Sequence, residues 1–443
     1  MPASPADSTI YGKLFGDVEV GQLFSDSAEV RAMMLVEGAL AKVQGELGLI
    51  PEISARAIHR ASMELQLDPS GLGTSVASNA VPVPEFVAMF RAAMQAPEHS
   101  AWLHWGATSQ DIMDTGQALR LRQALAILDT RLSRTAKALA TLAETHAATP
   151  MVARTYGQAA VVTSFGAVVA SWGAPLLRHR ARLRAVRDDV QIVSLSGAAG
   201  TLSAMGNRGP RVRAALAEAL GLRDPQASWH SERDGIAALA GWLAGVAGSL
   251  GKMGEDLLTL TLSGLNEVRL GAGGGSSSMP QKSNPVLPSV LSALARQTAA
   301  LNGAIQSALP HRQQRDAAAW LTEWMSLPQL VILTGRALTI ADDLAQTLTP
   351  DESAMQAQID ATGGMIFAEA LSFALAAAMP RPDAQTASKM LVGRAKDTGR
   401  SLGDIAREAH PGLDLAAVFD PAQQLGTAPA EARAFAKAAR SEA

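Results

Sequence analysis

Apolar side chains recur every three or four residues over most of this chain. After Gly116, the positions Leu121, Leu125, Leu128, Leu132, Leu139 and Leu142 are separated by three or four residues or by sums of those steps. That is the spacing of one face of an α-helix. Thr149-Pro150 closes the run, because a residue before proline is pushed out of helical geometry. A helix of about 35 residues would be about 50 Å long at 1.5 Å rise per residue. Comparable runs cover about 158–190, 233–266, 285–309 and 317–347. Long helices in series predict an all-α fold with a central antiparallel bundle. Strand signals are few, and the β-branched run from Val190 to Val193 is the best of them.

Composition refines this picture. Alanine is abundant and aromatics make up only 4% of the 443 residues, so helices can approach closely and share several faces. The length exceeds one ordinary core. The expected division is an N-terminal helical domain over 1–110, the long bundle over 111–350 and a smaller helical C-terminal domain over 351–443. A net charge of −3 gives no electrostatic footprint for nucleic acid or an anionic membrane. The absence of cysteine excludes disulfides and thiolate chemistry. Met1 to Thr9 carries no basic segment followed by an apolar run, so no secretory signal is expected and the cytoplasm is the expected location. Gly235 to Gly251 is free of charge but rich in Gly and Ala and bracketed by Arg233-Asp234 and Lys252. It reads as a helix buried among helices, with no membrane contact.

The richest chemistry lies in Gly275-Ser276-Ser277-Ser278-Met279-Pro280-Gln281-Lys282-Ser283-Asn284-Pro285, which follows Ala272-Gly273-Gly274. Glycines let the backbone approach a ligand closely, and Pro285 suits the first turn of a helix. The segment reads as a mobile lid that brings hydroxyls, a cation and an amide onto a bound anion. Thr108-Ser109 stands where a helix should start, ahead of Asp111 and Asp114. Its hydroxyls can cap free backbone N–H groups, and the same helix N-terminus can hold a carboxylate.

This loop resembles the signature loop of the fumarase/aspartase superfamily. Three further segments resemble that superfamily in the same order: His104-Trp105-Gly106-Ala107-Thr108-Ser109-Gln110-Asp111, then Arg154-Thr155-Tyr156-Gly157-Gln158, then Trp229-His230-Ser231-Glu232-Arg233-Asp234. The likeness is weakest over the last 80 or so residues. It implies proton transfer next to a substrate carboxylate, with Ser276 as the acid/base and Lys282 and Asn284 gripping the carboxylate. It further implies that Thr108, Ser109, Arg154, Thr155, Tyr156, Gln158 and His230 bind substrate. A homotetramer is implied, with each active site shared between subunits, and so is a small polycarboxylate substrate. A serine hydroxyl is too weak an acid to ionise unaided, so nearby positive charge must support it. The sequence offers no metal-ligand spacing and the chemistry needs no redox centre, so no cofactor is expected.

Departures from the pattern select a branch. Many members have His where this chain has Tyr156, and use it to protonate a poor leaving group. A carboxylate leaves readily, its conjugate acid having a pKa near 4. The cycloisomerase branch, which makes or opens a lactone with an internal carboxylate, typically has an aromatic at this position. Trp229-His230 and Trp320-Leu321-Thr322-Glu323-Trp324 also resemble that branch, and Ser289 stands where other branches have Glu. The expected reaction is closure of 3-carboxy-cis,cis-muconate to a carboxymuconolactone. The alternative is a fumarate-releasing C–N lyase of the adenylosuccinate or argininosuccinate type, which would take its acid from His146 or His230. His146 matches a His with a suspected catalytic role, and near a helix end it also suits the helix dipole. Arg315 is the better candidate for a distal carboxylate in the cluster His311, Arg312, Arg315, where charge runs otherwise read as a solvated face. Glu232 and Gln281 depart from the branch and leave the substrate open. An acidic Glu232 would repel a tricarboxylate unless it pairs with Arg233 or turns away. Gly197-Ala198-Ala199-Gly200-Thr201 reads as a small-residue turn between helices and not as a dinucleotide loop.

Overall fold

The computed structural model describes residues 4–271, 273–275 and 278–441. Ser276 and Ser277 of the signature loop lie outside the described residues. Helix α1 (Asp26–Glu46) starts on Ser25, whose hydroxyl accepts the Ala28 N–H. It packs against α2 (Glu52–Glu64) at a separation that only glycine permits. A Cβ on Gly45 would stand 2.3 Å from the Ala55 methyl, and one on Gly38 would overlap the Ser62 hydroxyl. Helix α3 (Val83–Met94) closes this N-terminal layer around Phe86 and Phe90, both fully buried.

Five long helices follow, as the periodicity predicts: α4 (Ser109–Thr145), α5 (Phe165–Val190), α6 (Asp234–Leu260), α7 (Val286–Ser307) and α8 (Ala317–Thr347). At 37 residues, α4 is about 55 Å long. Leu121, Leu125, Leu128, Leu132 and Leu139 are buried along it, while Leu142 is half-buried. Helix α6 is long and apolar enough to cross a membrane, and most of its apolar window is buried within the protein. Behind α6, Gly254 sits against the Pro288 carbonyl, where a Cβ would come within 2.8 Å.

Two expectations fail locally. Residues 158–164 are not the start of a helix: they form β2 (Gln158–Ser164), paired antiparallel with β1 (Pro150–Thr155). The turn between them is Tyr156-Gly157, with φ of 53° and 73°, the signature of a two-residue type I′ hairpin. A Val-Val-Thr run favours the pleated form over a helix. The run at Val190 to Val193 is not a strand. Val190 ends α5, and Ile192 makes only an isolated bridge to Arg223.

The chain forms two compact units. The first comprises Met1–Thr130, His179–Gly248 and Leu294–Ala337. Its core joins Met33, Val36 and Leu40 of α1 to Phe86, Ile112, Leu195, Leu216 and Trp320. The second comprises Arg131–Arg178, Ser249–Ala293 and Leu338–Ala443. It contains the hairpin, a core of Val152, Val162, Ile359 and Phe367, and a C-terminal core around Leu371, Leu391 and Leu402.

Candidate active site

In the first unit, a group of buried polar side chains surrounds the start of α4. Asp111 is fully buried, and its carboxylate accepts four N–H groups. Thr108 N and Gly197 N donate to Oδ2 at 3.0 and 2.9 Å. Ser196 N and His230 Nε2 donate to Oδ1, both at 2.8 Å. The helix is therefore capped by Asp111 reaching back to the Thr108 amide, and not by the Thr108 or Ser109 hydroxyl. The hydroxyls of Thr108 and Ser109 are left out of the cap and lie half-buried at the helix start, where the helix dipole favours an anion.

Arg315 lies over this turn. Its Nε donates to Gln110 Oε1 at 2.8 Å, and Nη2 reaches Thr108 Oγ1 at 3.4 Å and the Ala198 carbonyl at 3.2 Å. Gln110, itself buried, donates to the His230 carbonyl and to Asp114. Arg233 then bridges Asp114 at 2.7 Å and Glu323 at 2.5 Å with almost no exposure. Burial opposes its charge, but the two carboxylates overcome this and hold the guanidinium above its ordinary pKa. Burial likewise pushes Glu323 up. Its neighbours His311 and Arg233 outweigh burial and leave the carboxyl below the usual range. Trp320 Nε1 donates to Asp114, and the Arg233 guanidinium stacks 4.6 Å from the Trp229 ring.

Thr108, Ser109 and Arg315 are thus brought together in one cup. His230 supports the cup from behind, with a side chain 1% exposed. Of the basic cluster, His311 is buried against Glu323 and does not reach the cup. Arg312 is exposed and bound to Asp316. Glu232 is exposed; the guanidinium of Arg233 is committed to Asp114 and Glu323.

The remaining candidates belong to the second unit. Arg154 donates to Glu267 at 2.7 Å. That carboxylate is fully buried, and burial raises its pKa against the opposing pull of Arg154. Thr155, Tyr156 and Gln158 are exposed at the hairpin tip. His146, in the turn after α4, has Nδ1 3.2 Å from the Thr149 hydroxyl and 3.3 Å from the Glu352 carboxylate. Lys282 is exposed and Asn284 half-buried at the end of a small hairpin, β3 (Gly274–Gly275) with β4 (Ser283–Asn284). The base of this loop is tight: a Cβ on Gly273 would overlap the Ser283 hydroxyl at 1.9 Å. Among the described residues no cluster of three His, Asp or Glu side chains is placed to hold a metal ion.

Sequence reasoning passed over Gln110, Asp114 and Glu323 as site-forming residues. The spacing of Asp111 and Asp114, three apart after a helix start, is the signal that would have found Asp114, since both face one side of α4.

A family model described as lyase matches residues 18–299. The 3-carboxy-cis,cis-muconate cycloisomerase of Pseudomonas aeruginosa is 38% identical over 454 aligned residues, covering 100% of this chain and 98% of that protein. The protein of the same name from Bradyrhizobium diazoefficiens is 36% identical, covering 96% of this chain and 97% of its own length. Among solved structures, the 3-carboxy-cis,cis-muconate lactonizing enzyme from Pseudomonas putida superposes with a TM-score of 0.93 at 32% identity, covering 98% of this chain and 99% of that one. A long-helix bundle, the cup at the start of α4 and likeness along the whole length leave one conclusion: the chain belongs to the lyase family, within the fumarase/aspartase superfamily.

Proposed function

We propose that the chain is a cofactor-independent cycloisomerase that closes 3-carboxy-cis,cis-muconate to carboxymuconolactone in aromatic-acid breakdown. The observation that carries this reading is the end-to-end likeness to bacterial cycloisomerases and to a lactonizing enzyme of the same fold. In the reaction a substrate carboxylate oxygen bonds to one alkene carbon while a proton is delivered to the neighbouring carbon. One proton is consumed and a trianion becomes a dianion. Ser276 is assigned delivery of the proton. Lys282, Asn284, Thr108, Ser109 and Arg315 are assigned the carboxylates, with the start of α4 supplying oriented N–H groups. No amine or hydroxide departs, so the leaving-group acid that lyases supply with a His is not needed, and Tyr156 can stand in that position. Assembly as a homotetramer in the cytoplasm belongs to the same proposal, and a molar mass by light scattering checks the first part.

An ultraviolet assay tests the reaction. Lactone formation removes the conjugated diene absorbance, whereas fumarate release creates absorbance. Replacing Ser276 by Ala should lower turnover by orders of magnitude with little loss of stability. A purified protein that leaves the carboxymuconate spectrum unchanged and yields fumarate from a succinyl-amine would overturn the reading.

A further inference from the structure

Glu37 sits in the middle of α1 among core residues and is 1% exposed. Burying a carboxylate costs several kcal/mol unless it is paired. Its Oε1 lies 2.6 Å from His104 Nδ1, and its Oε2 has no partner. His104 is held with equal care. Its backbone is left-handed, with φ of 66°, a strained region for a residue with a side chain. Arg91 Nη2 donates to the Leu103 carbonyl before it at 3.0 Å, and Gln44 Nε2 donates to the Trp105 carbonyl after it at 2.7 Å. Gly106 follows at φ 73°, where a Cβ would meet Met205 at 2.9 Å. These contacts fix the ring with Nδ1 on Glu37 and leave Nε2 with no partner among the described residues. The side chain is 21% exposed and stands four residues ahead of Thr108.

We infer that Glu37 holds His104 as an imidazolium whose Nε2 binds one substrate carboxylate beside Thr108, Ser109 and Arg315. For the identity of the substrate this rests on the cycloisomerase reading. A tricarboxylate gains from each cation placed beside it. Within the first unit, Arg315 supplies one cation at the start of α4, and His104 is a second. The charged groups around the ring support that state. Burial works against the imidazolium, and Arg91 adds to that, but Glu37 and Asp111 outweigh both and raise the pKa above its ordinary value. Glu37 is a positioning residue and His104 a binding residue.

The experiment is calorimetric binding of propane-1,2,3-tricarboxylate to the full chain between about pH 5 and 8, the range in which imidazole titrates. Wild-type affinity should fall as pH rises through the raised His104 pKa. Glu37→Gln should move that fall to lower pH and weaken binding at neutral pH about 10-fold or more, the worth of one charge-assisted contact. His104→Gln should weaken binding as much and remove this pH dependence. In turnover assays both variants should raise KM far more than they lower kcat. Because His104 reaches the surface, His104→Gln decides the matter even where Glu37→Gln unfolds. Unchanged affinity and pH profile in His104→Gln would overturn the inference. Failure of the reaction reading is a separate result: wild type would leave carboxymuconate unconverted while the tricarboxylate still bound with the predicted pH dependence.

Discussion

Asp111→Asn is the sharpest perturbation the site offers, because it preserves shape and changes only what the group can accept. The carboxylate takes two N–H donors on each oxygen: Thr108 and Gly197 on Oδ2, Ser196 and His230 on Oδ1. Whichever way an amide is turned, its –NH2 faces two of those donors. Two hydrogen bonds to a charged group are lost, at about 1.5–3 kcal/mol each, for an expected cost of about 3–6 kcal/mol. That is a large part of a typical total stability of about 5–15 kcal/mol. In a cooperative unit of about 150–250 residues, each kcal/mol lowers Tm by about 2–4 °C, so a drop of at least about 6 °C is expected. Differential scanning calorimetry reads this directly. Tricarboxylate affinity should fall in the folded fraction too, since Asp111 ties the Thr108 turn to the Ser196-Gly197 turn. A drop below about 2 °C with binding intact would show that the four donors find other partners at little cost. The account of the site as one preorganised unit would then be wrong.

Arg233→Met should cost about 3–5 kcal/mol near pH 7, because it leaves Asp114 and Glu323 buried without a counter-charge. The Glu323 pKa is depressed in the folded protein, so its contribution is present above its unfolded pKa and lost as pH falls through the folded value. The Tm gap between wild type and variant should therefore narrow below about pH 4, and a constant gap would refute the ion-pair account. Tyr156→Asn should leave Tm unchanged or raise it, since Asn suits the left-handed turn position that costs a Tyr about 1 kcal/mol or more. Lactone formation should fall in the same variant, and full activity would remove Tyr156 from the site. Gly273→Ala should depress turnover with little change in Tm, because its methyl overlaps Ser283 at the base of an exposed loop; normal kinetics would show that the loop base is not needed in this form.

The long helices were legible because each has a full-length apolar stripe and nothing competes with it. The run 317–347 matches α8 residue for residue. The hairpin was not legible for two physical reasons. Ala159 and Ala160 read as helix formers, and the Tyr156-Gly157 turn lacks the Asn-Gly or Asp-Gly signature of its type. What makes β1 and β2 strands is their pairing with each other, which no local window contains. The site divides in the same way. Thr108 and Ser109 were readable from a local rule about helix starts. Glu37 was invisible, since its partner His104 lies 67 residues away and a lone Glu in a helical run reads as a solvated face. Arg154 shows the converse: the motif offers it to substrate, while the fold gives it a buried carboxylate.

The buried charges also explain how rigidity is distributed. Replacing a buried ion pair by apolar residues is often neutral or stabilising, so stability alone does not account for Glu37, Asp111, Asp114, Arg233 and Glu323 packed around one helix start. What such a network fixes is position: each member accepts or donates along a set direction, and a displaced member leaves a desolvated charge behind. The carboxylate-binding role proposed for Thr108, Ser109, Arg315 and His104 would need that precision. In the second unit the same device appears where fully buried Glu267 anchors Arg154 on β1. Arg154 is held in place by that pair, and the hairpin tip beyond it presents Thr155, Tyr156 and Gln158 to solvent. Tyr156, with its full side chain exposed on a strained backbone, gains nothing from packing within the chain. Burial therefore does not offset its left-handed backbone, which is why Tyr156→Asn is expected to cost no stability.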